Sequence, residues 1–206
     1  MHIPSAETQE LDILDFAHAL ELSGRGGGYD ADKWLYVPDF YTEYRYILGT
    51  RGRNPLICVG INPSTAAPDD LDNTLKSVQR IAEGNGYDSW IMFNVYAQRA
   101  TRPDDMDSEL NPRLHHENMA AFEYILKTVS DSGSVPAVWA AWGTIIEKRD
   151  YLPHCVRDMV SLGLEYGARW LAAGKCSKKG HPHHPLYLRK DEKTYDFDIG
   201  RYLDSL

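Results

Sequence analysis

The chain has 206 residues, 43% of them hydrophobic, enough for a single domain, or a domain with an appended arm, built on a sizeable core. Its formal net charge of -8 excludes a protein whose whole surface grips nucleic acid, although Lys175, Lys178, Lys179, Arg189 and Lys190 leave a local basic face open. Cys58, Cys155 and Cys176 are the only cysteines, without the spacing of a disulfide framework or a cysteine-held cluster, and no apolar run approaches the roughly 18 residues of a membrane helix.

Residues 1–30 read as a peripheral arm. Leu11, Leu14, Phe16, Ala17 and Leu20 fit one face of a short amphipathic helix, and the glycine-rich stretch 24–28 reads as a flexible joint. That run is not a phosphate loop, for it lacks the preceding strand and the following lysine. No signal-peptide pattern opens the chain, so a reduced, cytoplasmic protein with no membrane partner is expected. The remainder, 31–206, reads as one α/β domain.

Aromatic and β-favouring residues over 41–53 predict a strand and turn. Residues 56–61 form an apolar, β-branched run too short for a helix, which predicts a buried strand of a parallel sheet. Asn62-Pro63 stops it, because proline lacks the N–H that a central strand needs. Ser64 and Thr65 then offer hydroxyls and N–H groups that either cap the following turn or bind a phosphate. An acidic loop leads to a predicted helix over 74–83, ended by Gly84-Asn85-Gly86.

Residues 90–93 predict a second buried strand, stopped by Asn94. A loop over 98–113 carries Arg99, Arg102 and several acids, and a helix follows over 114–129. Residues 137–141 predict a third strand with Trp142-Gly143 at its exit. One or two helices over 144–164 are broken at Pro153, and 169–173 predict the fourth strand. The loop 175–185 holds His181, His183 and His184, and the tail 186–206 reads as a short strand or turn with a final helix.

Strands alternating with helices imply a three-layer α/β/α fold around a central four-stranded parallel sheet. If the strands are parallel, the polar groups after each, at Asn62, Asn94, Trp142-Gly143 and His181, gather at one sheet edge, where such folds place ligands.

Gly60-Ile61-Asn62-Pro63, Phe93-Asn94, Trp139-Ala140-Ala141-Trp142-Gly143 and His181-Pro182-His183-His184-Pro185-Leu186 together resemble, in order, the motifs of the uracil-DNA glycosylase superfamily, in particular its mismatch-specific uracil/thymine branch. The resemblance covers roughly residues 55–190. The chain also resembles, more closely, an uncharacterised bacterial and phage family of unknown function marked by Asn-Pro-Ser-Thr and His-Pro-Leu-Tyr-Leu.

The first resemblance implies a uracil-DNA glycosylase-like sheet and hydrolysis of the N-glycosidic bond of a damaged or modified base, in DNA or in a nucleotide. It implies no cofactor. In that reading Gly60, Ile61, Pro63 and Ser64 shape the first motif, and Asn62 holds the attacking water. Asn62 as a turn cap is the alternative. Asn94 pairs with a base edge, since one amide supplies both donor and acceptor, or else caps a turn. Tyr96 stacks on the base or is simply core.

His181 or His184 donates to the departing base, His181 being preferred as the first in its loop. Two histidines and a late leucine depart from the family's motif there. Leu186 or Tyr187 fills the gap left by an extruded nucleotide. Asp72 faces the site, and Arg99 meets a phosphate or pairs with an acid of its own loop. A zinc site on His181, His183, His184 and Cys176, joined by His115 and His116, matches no established ligand spacing. The alternatives to a hydrolase are a noncatalytic module that binds a nucleobase or nucleic-acid end, and another transformation of modified nucleotides on the same sheet.

Overall fold

The structure, a computed structural model, describes residues 1–26 and 28–206. The expected joint at 24–28 includes Gly27, which lies outside the described residues.

The fold is mixed α/β. Its seven-stranded sheet consists of β1 (Trp34–Val37), β2 (Ile47–Thr50), β3 (Pro55–Gly60), β4 (Ser89–Asn94), β5 (Ala137–Ala140), β6 (Arg169–Ala173) and β7 (Thr194–Asp196), in the order β1-β2-β4-β3-β5-β6-β7. The four expected strands are β3 to β6, and they form a parallel centre. The sheet exceeds the expectation at both edges, where β1, β2 and β7 add antiparallel pairs. All three are short; β2 lies within the strand and turn expected over 41–53, β7 within the tail read as a short strand or turn, and β1 alone had no strand expected at its position.

Alternation along the central strands divides the core in two. Ile57, Val59, Ile91, Phe93, Val138 and Ala140 face one side, where α1 (Phe16–Leu22), α3 (Pro112–Asp131), α4 (Leu152–Glu165) and α5 (Ile199–Ser205) pack. Leu56, Cys58, Trp90, Met92, Trp139 and Leu171 face the other, covered by α2 (Asn73–Gly84) through Leu75, Val78, Ile81 and Ala82. Burial pushes the Cys58 thiol well above its usual range, so it is an inert core group.

The helix expected to break at Pro153 does not. Pro153 sits in the first turn of α4, where its missing N–H leaves no bond unmade, and the break falls before it, after a 3₁₀ segment at Gly143–Glu147. The helix expected over 74–83 is α2, which starts at Asn73, capped by Asp72 Oδ1 on the Leu75 N–H at 2.9 Å.

The N-terminal residues contribute Ile13, Phe16 and Ala19 to the core. They are anchored by a buried polar network. Asp107, fully buried, accepts from the Thr8 N–H (2.9 Å), the Thr8 hydroxyl, the Tyr96 hydroxyl (2.6 Å) and Gln98 Nε2 (2.8 Å). Tyr96 is thereby a core residue, with its ring tilted against Tyr151 at 5.0 Å.

Removing this carboxylate orphans several buried donors at once, each costing about 1–3 kcal/mol. Asp107→Ala should therefore destabilise the fold by about 3–4 kcal/mol and lower Tm by roughly 10 °C. Thermal denaturation followed by circular dichroism checks this, and a drop under about 2 °C, less than one such lost bond, would show that the network is not what holds the N-terminal segment.

Candidate functional site

The carboxyl ends of β3, β4, β5 and β6 open into one cleft of about 1140 Å³. Asn62, Asn94, Trp142, Gly143, His181 and His184 all line it, so residues more than a hundred positions apart share one edge, as parallel pairing requires. Gly60, Ile61, Pro63, Ser64, Asp72, Leu186 and Tyr187 line it as well. Tyr96 and Arg99 do not. Tyr96 belongs to the Asp107 network, and Arg99 lies fully buried behind the Ser64–Ala66 loop.

Asn94 closes β4, only 1% exposed, and neither its Oδ1 nor its Nδ2 has a hydrogen-bond partner among the described residues. It caps no turn. Its backbone is held from behind by Asn118, whose Nδ2 donates to the Asn94 carbonyl at 2.9 Å. Opposite it in the parallel ladder stands Gly60, where a Cβ would lie 3.3 Å from Asn94 Oδ1 and 2.5 Å from Met92 Cε.

Asn62 is locked differently. Its Nδ2 donates to the carbonyls of Pro63 (3.0 Å) and Ala100 (2.7 Å). Two carbonyl acceptors decide which end of the amide is the NH₂ group, so Oδ1 is the atom left to the cleft. Ser64 bonds Thr101 through its hydroxyl at 3.0 Å.

The two candidate histidines separate by their contacts, in the reverse of the expected preference. His181 has both ring nitrogens engaged, Nδ1 with the Tyr202 hydroxyl and Nε2 with Glu147 Oε1, each at 3.0 Å. Trp142 Nε1 donates to the same Tyr202 oxygen at 2.9 Å. The chain is satisfied end to end when Tyr202 donates to Nδ1 and Nε2–H donates to Glu147, which makes His181 a bracing group. Among the described residues His184 engages only Nδ1, which accepts from the Leu186 N–H at 3.3 Å. Burial lowers its pKa, against a smaller opposing effect of Asp72. His184 is therefore neutral near pH 7, with Nε2–H as its remaining donor.

Arg45 lines the cleft although only 2% exposed. Sequence reasoning passed over it; the available signal was a lone guanidinium between Tyr44 and Tyr46 in a β-favouring stretch. At the mouth, Tyr187 is 74% exposed and Leu186 is also exposed, a placement suited to contacting a large ligand. Among the described residues no three His, Cys, Asp or Glu side chains come together in a metal-holding geometry, and His115 bonds Asp158 on α4 instead. No helix among the described residues is long and apolar enough to cross a membrane.

A family model described as a protein of unknown function (DUF1643) matches residues 45–186. The chain belongs to that family, which spans the whole cleft-bearing part of the sheet from Arg45 to Leu186. No curated protein and no solved structure matched the chain.

The burial of His184 has a pH consequence. The folded protein holds its pKa below the ordinary 6.5, so the unfolded chain takes up this proton first as pH falls. The stability tied to the neutral ring is thus whole above about pH 6.5 and declines below it. Urea denaturation at about pH 7.5 and about pH 5 should show wild type losing more stability on acidification than His184→Gln. Equal losses would mean that the ring titrates freely in the folded state.

Proposed function

We propose that this member of the DUF1643 family takes a nucleobase edge against Asn94 and hydrolyses the N-glycosidic bond that carries it, on a uracil-DNA glycosylase-like sheet. The observation that supports this most is the Asn94 amide, buried at the head of a cleft with donor and acceptor both unpartnered. An orphaned buried polar group costs about 1–3 kcal/mol. A nucleobase edge that presents a carbonyl beside an N–H meets both atoms of one amide at once. Membership of a family of unknown function leaves this open to experiment, and the order of the four sheet-edge motifs agrees with it.

In this reading the bond from the sugar C1′ to the base nitrogen breaks with its electron pair going to the base. The negative charge spreads to a base carbonyl oxygen, where Nε2–H of neutral His184 donates without itself losing a proton. Water bonds to C1′, oriented by Asn62 Oδ1, and the proton it sheds ends on the released base. Asp72, whose Oδ1 caps α2, supplies negative charge to the cationic sugar. Leu186 and Tyr187 contact the rest of the nucleotide or the DNA beside it.

A second reading, a nucleobase-binding module without turnover, is favoured by one feature. Asn62 is an amide tied to two carbonyls and accepts no proton, so water activation is weak.

Incubation with DNAs and nucleotides carrying uracil, mismatched or hypermodified bases, with free base followed by mass spectrometry, separates the two. The hydrolase releases free base, and His184→Gln slows release by about 100-fold. Asn94→Ala should weaken binding by roughly 10- to 100-fold in either reading. Binding without release supports the module, and binding insensitive to Asn94→Ala removes the nucleobase reading.

A further inference from the structure

Beside the cleft lies a buried cationic pair, one member of which lines it, for which the base chemistry has no use. Arg45 and Arg99 are 2% and 0% exposed, and the Nη1 atoms of both donate to one oxygen, the Ala66 carbonyl, at 3.1 and 3.2 Å. Two guanidinium groups therefore lie side by side beneath the loop that follows Asn62. Arg99 Nη1 also donates to the Ser64 carbonyl and its Nη2 to the Tyr36 hydroxyl (3.0 Å), with its guanidinium 4.3 Å from the centre of the Tyr41 ring.

No carboxylate pairs with either arginine among the described residues, and the Nε of each is buried without a partner. Asp72 is the acid whose field reaches both, one negative charge against two positive. Burial first, then the charge of Arg99, lowers Arg45 to about 9, so it stays cationic at neutral pH; burial lowers Arg99 too, and a guanidinium keeps its proton in proteins. Unpaired buried charge costs several kcal/mol, and an arriving anion offsets that cost, the planar guanidinium fork being matched to phosphate oxygens.

Of the two arginines, Arg45 is the one that faces the cleft. Thr65, Thr74, Lys175 and Lys178 line the same cleft, and neither lysine is in an ion pair among the described residues. Arg99 backs Arg45 from inside.

We infer that Arg45, backed by Arg99, forms a subsite for a phosphate monoester, so that the ligand of the cleft is a nucleotide with a terminal phosphate. The inference rests on the reading of the Asn94 end as a nucleobase site. A monoester carries about -1.5 to -2 at pH 7, which matches a buried pair of cations, whereas each diester of a continuous strand offers a single charge. The net charge of -8 works in the same direction, since it repels a long polyanion more than a single nucleotide. A free nucleotide and the phosphorylated end of a strand present the same group.

The test is calorimetric titration of the whole chain with deoxyuridine, its 5′-monophosphate, inorganic phosphate and a 5′-phosphorylated single-stranded oligonucleotide. The nucleotide should bind roughly 10- to 100-fold tighter than the nucleoside, and inorganic phosphate should compete with it. Arg45→Lys, which keeps the charge but not the fork, should lose most of that preference while nucleoside binding stays. Asn94→Ala should lose discrimination among bases and leave inorganic phosphate binding unchanged. If deoxyuridine and its monophosphate both fail to bind while inorganic phosphate binds in an Arg45-dependent way, the subsite stands and the nucleobase reading falls.

Preference for the mononucleotide over the oligonucleotide identifies a free nucleotide as ligand, and the reverse identifies a strand end. Equal affinity of nucleoside and monophosphate, or phosphate binding that is absent or indifferent to Arg45→Lys, overturns the inference. Should that variant not fold, the nucleoside-against-monophosphate comparison in wild type, repeated at raised salt, decides alone. The preference must shrink as salt screens the charge, and a salt-independent preference would count against the arginines.

Discussion

The cleft depends on the missing side chain at Gly60. β3 and β4 run parallel with Gly60 directly beside Asn94, so the two strand exits reach the same level of the sheet. Any Cβ at Gly60 would crowd the Met92 methyl and press on the Asn94 amide. The methyl can swing aside, but the amide sits at the end of a strand fully buried along its length and has no second place to go. Leaving that position bare keeps the Asn94 amide presented to the cleft, and the rest of the site is arranged around that amide.

A site of this kind is built at the expense of stability. Asn94, Arg45 and Arg99 each keep buried polar atoms without protein partners, and the two guanidinium groups repel one another. The fold carries this because the central strands are apolar on both faces and covered by helices on both sides, which leaves a surplus to offset local loss. The Asp107 network is the contrast. It too is buried and polar, but its carboxylate oxygens meet donors from Thr8, Tyr96 and Gln98, so it fastens the structure and leaves nothing for a ligand.

The parallel centre was legible because β3 to β6 are short apolar runs, closed by Asn62-Pro63, Asn94 and the glycine-bearing exits at Gly143 and Gly174, and the buried face of α2 repeats at helical spacing. The convergence of Asn62, Asn94, Trp142-Gly143 and His181 on one cleft followed from strand direction alone. What escaped was whatever distant contacts decide. Tyr96 follows Asn94 by two positions and left two readings open, base-stacking ring or core; a hydroxyl partner 88 residues away, Thr8, and the carboxylate of Asp107 decide for the core. Arg99 resembled an exposed loop cation until the loop folded over it. β1, four residues long, lies in a stretch with no strand pattern of its own, whereas β7 falls in the tail read as a short strand or turn.

The histidine loop shows how neighbours give different roles to one residue type. Gly143 has φ of +65°, which glycine adopts without strain, and a Cβ there would be in ordinary contact with that of His184 at 3.4 Å, so the exit of β5 lies directly against the loop after β6. On the other side the Pro185 carbonyl accepts from the Ser77 hydroxyl of α2 at 2.7 Å. The loop is thus clamped between the sheet edge and the helix before any ligand arrives. Within that clamp His181 faces Tyr202 and Glu147, which take up both of its nitrogens, and it becomes part of the wall. His184, three positions on, faces the opening with one nitrogen fixed by the backbone and the other free. Position in the motif favoured the first histidine, but the supply of partners favours the second, and a proton can be offered to a ligand only from a nitrogen that nothing else holds.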